Sequence, residues 1–217
     1  MHEVTDGQVV GTNGIPVSYS FLQPDSSSDT LVMLLPGYGY TNDSPMFRYT
    51  TALCLENGLN VLEINYNYRD ERYDSVDVSV AVVDDVRLVI DQVLQFHSIN
   101  EYIIVGKSLG TMAMASELTR NVFHDAKLVW LTPLLKQDDI YEAILSHKGK
   151  QLVLTGTADQ HYVDERMKRL EHLALTELEI VKEMNHSLEY TGETYRSLRL
   201  LETLLKRVEQ FIISSRY

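Results

Sequence analysis

Residues 101 to 111 read Glu-Tyr-Ile-Ile-Val-Gly-Lys-Ser-Leu-Gly-Thr, and this stretch limits the possible folds more than any other. Tyr102 to Val105 form a short continuous apolar run, the pattern of a strand buried on both faces. The run leads directly into Gly106-Lys107-Ser108-Leu109-Gly110, a G-x-S-x-G pattern. Thr111 to Arg120 then suits a helix. A serine between strand and helix, with glycine two places to either side, predicts a nucleophile elbow. The turn holds the serine in a strained backbone conformation, and a side chain at either glycine would collide with the neighbouring strand or helix. The hydroxyl is thereby presented at the carboxyl edge of a sheet. Beneath it lies a helix N-terminus, whose positive end can stabilise a developing oxyanion.

Apolar runs alternate with helical patterns along most of the chain. Gln8 to Val10 and Ile15 to Leu22 read as two early strands joined by a Gly-Thr-Asn-Gly turn, able to pair antiparallel. Pro24 to Asp29 is a Ser-rich loop. Further strands are expected at Leu31–Leu35, Asn60–Tyr66, Glu101–Val105, Lys127–Leu131, Gln151–Thr155 and Glu177–Val181. Helices are expected from Ser44-Pro45 to Asn57-Gly58 and over Asp77–Phe96, Thr111–Arg120, Asp138–Ser146, Asp164–Leu173 and Thr194–Ile213. Ser44 is the expected N-cap of the first. The apolar stripe of the long second helix is read as Val80, Val83, Leu88, Val93 and Phe96. That of the last helix is read as Leu201, Leu204, Leu205, Val208, Phe211 and Ile212. Continuous apolar strands alternating with helices predict an α/β fold: a mostly parallel eight-stranded sheet covered by helices on both faces, in one domain.

A serine hydroxyl needs a base within reach, and the base needs an orienting group. In a parallel sheet the carboxyl ends of strands are where such groups meet. Asp159 follows one late strand and His186 follows the last, which gives the chain order Ser108, Asp159, His186. His97, His147 and His172 fall on helices or at their ends, His124 falls at the opposite edge and His2 is terminal. His161 stands too close in sequence to Asp159 to be the base. The oxyanion donors are expected at the N–H groups of Leu109 and Tyr38, the latter in the loop Pro36-Gly37-Tyr38-Gly39-Tyr40.

The 217-residue chain has 44% hydrophobic residues and a formal net charge of -12. That acidity argues against nucleic acid and anionic membrane surfaces as partners. The lone cysteine, Cys54, cannot form an intrachain disulfide and sits in an apolar helical stretch, where packing is its expected role. No N-terminal signal pattern and no membrane-length apolar run is visible. A cytoplasmic location is expected, and no oligomeric state can be read.

These residues resemble the α/β-hydrolase superfamily over nearly the whole chain. The elbow follows the fifth strand, the acid the seventh and the histidine the eighth. Leu-Leu-Pro-Gly-Tyr-Gly-Tyr is similar to the family's oxyanion loop, with Pro36 where a histidine is usual, so the bonds that brace the loop must differ. The short length and the Gly-Lys-Ser-Leu-Gly elbow resemble the small dienelactone-hydrolase-like members. Dienelactone hydrolases proper use cysteine as the nucleophile, and the serine here means that their substrate is not carried over. The resemblance implies a minimal cap or none, because Thr132 to Lys150 has room for one helix only. It also implies a cofactor-free, metal-free serine hydrolase of a small ester or thioester. Tyr38, Tyr40, Tyr66, Tyr68, His161 and Tyr162 are expected near the strand ends as an aromatic substrate rim or as packing. Lys107 is read as bracing the elbow, with an anionic-ligand role as the alternative. A non-catalytic binding protein on the same fold, or peptidase, C–C or perhydrolysis chemistry with the same residues, are the other readings.

Overall fold

A computed structural model describes residues 2–25 and 28–214 of the chain. In chain order the elements are β1 (His2–Val10), β2 (Pro16–Pro24), β3 (Thr30–Leu35), α1 (Pro45–Glu56), β4 (Asn60–Asn65), α2 (Val78–Leu94), β5 (Glu101–Lys107), α3 (Gly110–Glu117), β6 (Lys127–Leu131), α4 (Asp138–Ser146), β7 (Gln151–Gly156), α5 (Asp164–Leu170), β8 (Thr176–Val181) and α6 (Thr194–Ile213). The strands form one eight-stranded sheet in the order β1-β2-β4-β3-β5-β6-β7-β8. β1 pairs antiparallel with β2, and β2 antiparallel with β4. The pairs from β4 through β8 are parallel. The register sets Leu35 beside Gly106, Lys107 beside Leu131 and Gly156 beside Val181, so these strands end along one common edge.

The central strands are apolar along their length because both faces are covered: β3 is buried at every residue. One core cluster joins the sheet to α2, α3, α4 and α5, and the other joins it to α1 and α6. Cys54 is buried in the second cluster, where burial pushes its thiol up to about 12. Among the described residues no helix is long and apolar enough to cross a membrane. Between β6 and β7 only α4 is inserted, so no cap is built over the carboxyl edge at that crossover.

Several expectations need correction. β1 reaches back to His2, well before Gln8, because an edge strand exposed on both faces carries no apolar alternation to betray it. Ser44 stands at the N-cap of α1, but its hydroxyl accepts from the Thr41 N–H at 3.0 Å. The first turn is met instead by the Tyr40 hydroxyl, which accepts from the Met46 N–H at 3.2 Å. α5 stops at Leu170 rather than Leu173. Ser26 and Ser27, within the Ser-rich loop, lie outside the described residues.

The stripe on α2 is right at Val93 and at the half-buried Val83 but misphased elsewhere. Val80, Leu88 and Phe96 are exposed, and the core face is Ala81, Val82, Asp85, Val86, Val89, Ile90 and Val93. The cause is Asp85, an acid on the buried face, which makes the true stripe read as polar. It is fully buried and accepts from the Thr12 N–H at 2.7 Å, the Thr12 hydroxyl at 2.9 Å and the Tyr68 hydroxyl at 2.9 Å. A buried carboxylate is tolerable when donors surround it in this way.

Candidate active site

Ser108 stands between β5 and α3 with a φ of 49°, a left-handed conformation that is uncommon for a residue with a side chain. The two flanking glycines hold it there. A Cβ on Gly110 would overlap the Leu35 carbonyl of β3, and one on Gly106 would come 2.8 Å from the Met114 sulfur of α3. The Ser108 N–H donates to the Leu131 carbonyl at 3.1 Å, fastening the turn to β6. Its carbonyl accepts from the Thr111 N–H at 2.9 Å, which starts α3.

The structure brings Ser108, Asp159 and His186 together from three segments. His186 Nε2 lies 2.8 Å from Ser108 Oγ, and Nδ1 lies 2.9 Å from Asp159 Oδ2. An ionised carboxylate can only accept, so Nδ1 carries the proton and Nε2 is left to accept from the serine hydroxyl. The Asp159 side chain has no exposed surface. Burial works against its charge, but the bonds from His186 Nδ1 and the His161 N–H outweigh burial and hold the carboxyl below its ordinary value. That N–H donates to Asp159 Oδ1 at 2.8 Å.

His186 rides on a compact loop that turns about Asn185. The Asn185 side-chain oxygen accepts from the Ser187 N–H at 2.9 Å and the Glu189 N–H at 3.2 Å. The Asn185 N–H donates to the Glu189 carbonyl at 2.9 Å, closing the turn. Met184 and Leu188 are buried on either side of it. The loop sits against the end of β7 because Gly156 has no side chain; a Cβ there would overlap the Met184 carbonyl. Sequence reasoning missed Asn185 and the packing role of Gly156, although a glycine ending a strand before the acid loop was a readable sign of close approach.

The loop after β3 passes over the serine: a Cβ on Gly37 would be 3.2 Å from Ser108 Cβ. Among the described residues, neither the Leu109 nor the Tyr38 N–H has an acceptor in the protein. Tyr38 is half exposed, and the Arg69 guanidinium, which sequence reasoning did not single out, stands 5.9 Å from its ring.

The aromatic rim needs correction in part. Tyr66 is 7% exposed, and its hydroxyl donates to the Pro36 carbonyl, so it supports the glycine loop from beneath and does not face a substrate. Burial holds its phenol well above the ordinary value. Tyr68 is buried too, stacked on Tyr66 with centroids 5.0 Å apart. Tyr66 is therefore a brace of the loop at Pro36, and Tyr68 backs its ring. Tyr40 is half buried, its ring edge-on to Phe47 and its hydroxyl used at α1. The His161 ring lies 5.1 Å from the His186 ring. Its Nδ1 is buried without a hydrogen-bond partner among the described residues, and burial beside His186 holds it below the usual histidine value. The Tyr162 hydroxyl donates to Asp164 at 3.1 Å, and its N–H donates to the Asp159 carbonyl at 3.0 Å.

Strained residues gather here. Ser108, Thr132, Glu183 and Leu188 all have positive φ without being glycine, and all lie in the turns that follow β5, β6 and β8. A family model described as an alpha/beta hydrolase domain matches residues 28–213. The chain belongs to that family. Its hydrogen-bonded series Ser108–His186–Asp159 stands where strands end. No curated protein is a recognisable sequence relative of this one. Among solved structures it is similar to an esterase from Pyrococcus furiosus, with 16% identity over 97% of this chain and 91% of that one and a TM-score of 0.72. It is similar to a dienelactone hydrolase from Anabaena variabilis, with 17% identity over 98% of both chains and a TM-score of 0.72. It is also similar to an α/β serine hydrolase without a lid from Xanthomonas campestris, with 16% identity over 95% of both chains and a TM-score of 0.68. At such identities the likeness is one of fold.

Proposed function

We propose that this alpha/beta hydrolase is a serine hydrolase that cleaves a carboxylic ester or thioester of a small substrate through an acyl-enzyme on Ser108. The observation that carries the reading is the pair of short bonds at His186, with Nε2 2.8 Å from Ser108 Oγ and Nδ1 2.9 Å from Asp159. His186 takes the Ser108 proton as Oγ attacks the carbonyl carbon. Asp159, buried and ionised, keeps the imidazole in the working tautomer and offsets its positive charge. The N–H groups of Leu109 and Tyr38, without an acceptor among the described residues, receive the oxyanion. His186 then protonates the departing alcohol or thiol. Water, deprotonated by the same imidazole, adds to the acyl carbon; collapse of that adduct breaks the bond to Ser108 and releases the acid.

His161 and Tyr162 flank the imidazole and the acid, and belong to the substrate wall in this reading, together with the exposed part of Tyr40. A cavity of about 360 Å³ adjoins the His186 loop, walled by both apolar and acidic side chains, among them Tyr40, Leu188, Leu198, Glu189 and Glu193. The esterase and dienelactone hydrolase among the structural neighbours support acyl chemistry on this fold. A cytoplasmic setting and the absence of nucleic-acid and membrane partners complete the proposal.

The test is labelling by a fluorophosphonate probe together with turnover of p-nitrophenyl acyl esters. The wild type is expected to label and turn over, and Ser108→Ala to do neither while keeping its melting temperature. Probe-inert wild-type protein that binds ester without cleaving it would favour a binding protein on this fold.

A further inference from the structure

Lys107 is a buried charged group beside Ser108 to which the proposed reaction assigns no work. It is the last residue of β5, directly before Ser108, and is 2% exposed. An ammonium has three donors and no acceptor capacity. Lys107 Nζ donates to the His186 main-chain carbonyl at 2.9 Å and to the Thr132 hydroxyl at 3.2 Å. It also stands 4.7 Å from the centroid of the Tyr40 ring, within cation–π range. The charge is therefore met on three sides, by the turns that follow β8, β6 and β3. Two of those turns hold backbone that no local preference supports: Thr132 at φ 42°, and Leu188 at φ 66°, two residues beyond His186. A buried ammonium is costly unless acceptors meet its donors, and an apolar side chain would carry no such cost. Packing alone therefore does not explain a lysine at this position.

We propose that Lys107 is a positioning residue: its ammonium clamps the loop carrying His186 to the elbow, and so sets where the imidazole stands relative to Ser108. The catalytic consequence rests on the hydrolase reading above, whereas the clamp is a property of the loop itself. The loop is closed internally by Asn185, so it can shift as a unit. Its His186 carbonyl is the handle by which β5 holds it. A charge-assisted bond is roughly twice as strong as a neutral one. Misplacing a reacting group by about 1 Å can cost on the order of a hundredfold in rate.

The clamp is strongest when Lys107 is charged. Burial pushes its ammonium down to about 8, against the opposing pull of Asp159 and Glu189. The other titratable groups facing it are His186 and Tyr40, and burial holds the Tyr40 phenol at about 12, neutral throughout this range. Below about 8 the charge-assisted bonds are in place; as pH rises through that value the neutral amine holds the loop more weakly.

Two measurements on wild type, Lys107→Met and Lys107→Gln test this. Amide hydrogen exchange at neutral pH should be faster in residues 183–190 of Lys107→Met and little changed in the central strands. With an acyl ester, kcat should fall roughly ten- to a hundredfold with KM nearly unchanged. The ratio of wild-type to Lys107→Met kcat should shrink between pH 7 and pH 9.5, as the wild type loses its charge. Lys107→Gln keeps a neutral donor, should fall between the two, and carries the test if Lys107→Met does not fold. Unchanged exchange in 183–190 overturns the clamp. Faster exchange there, with a wild type that hydrolyses no ester, supports the clamp and sinks the hydrolase reading instead.

Discussion

At the scale of single residues, the Ser108 turn and its neighbouring loops rest on side chains outside the hydrogen-bonded series. Tyr66 is the clearest case. Its hydroxyl donates to the Pro36 carbonyl, at the root of the loop that crosses Ser108. Tyr66→Phe removes that donor and leaves a buried carbonyl with nothing to accept from. The expected cost is about 1–3 kcal/mol of stability, which in a chain of this size is a fall of several degrees in melting temperature. If the Tyr38 N–H receives the oxyanion, the loosened loop also lowers kcat about tenfold while KM moves little. Calorimetry and steady-state kinetics on the same preparation check both parts. A variant with wild-type kcat would show that the loop holds its shape without Tyr66. The proline at position 36 announced that some other brace was needed, but no residue in the sequence pointed to a tyrosine thirty positions later.

At the scale of elements, α2 carries the most instructive error. A valine-rich helix offers more than one apolar stripe, and periodicity alone favours the one without a charge. The structure favours the other, because Asp85 finds three donors from the β1–β2 turn and the loop after β4. Asp85→Ala strands the Thr12 and Tyr68 donors in the core, and the loss is expected at about 2–4 kcal/mol by denaturant unfolding. In the proposed reaction the folded fraction should keep most of its kcat, since Asp85 touches none of Ser108, Asp159 and His186 and reaches the loop over Ser108 only through Tyr68 and Tyr66. Near-neutral stability would mean that water replaces the carboxylate.

At the scale of the whole molecule, the carboxyl edge of the sheet is left uncapped at the β6–β7 crossover, where α4 alone is inserted. A covering element that must open makes the rate depend on what opens it. Without one, hydrolysis should rise smoothly as an ester passes its solubility limit, and short acyl chains should be preferred. A sharp rate jump on reaching an ester–water interface would reveal a covering segment that moves.

How much was legible follows from the range of the forces involved. The elbow, the strand and helix order, and the Ser108–Asp159–His186 series were readable, because each depends on local sterics and on which strand end a residue follows. Gly106 and Gly110 are required within one turn because the Met114 sulfur and the Leu35 carbonyl come too close for a Cβ, and continuous apolar runs report burial along the inner strands. What only the tertiary structure decided is which side chains serve the site without lining it. Tyr66 under Pro36, Lys107 on the His186 carbonyl and Asp85 under Thr12 are pairings between distant segments. A buried polar group must find a partner wherever packing sets one. The chain carries the demand for that partner in its own residues, but the partner's identity exists only once the sheet has brought the segments together.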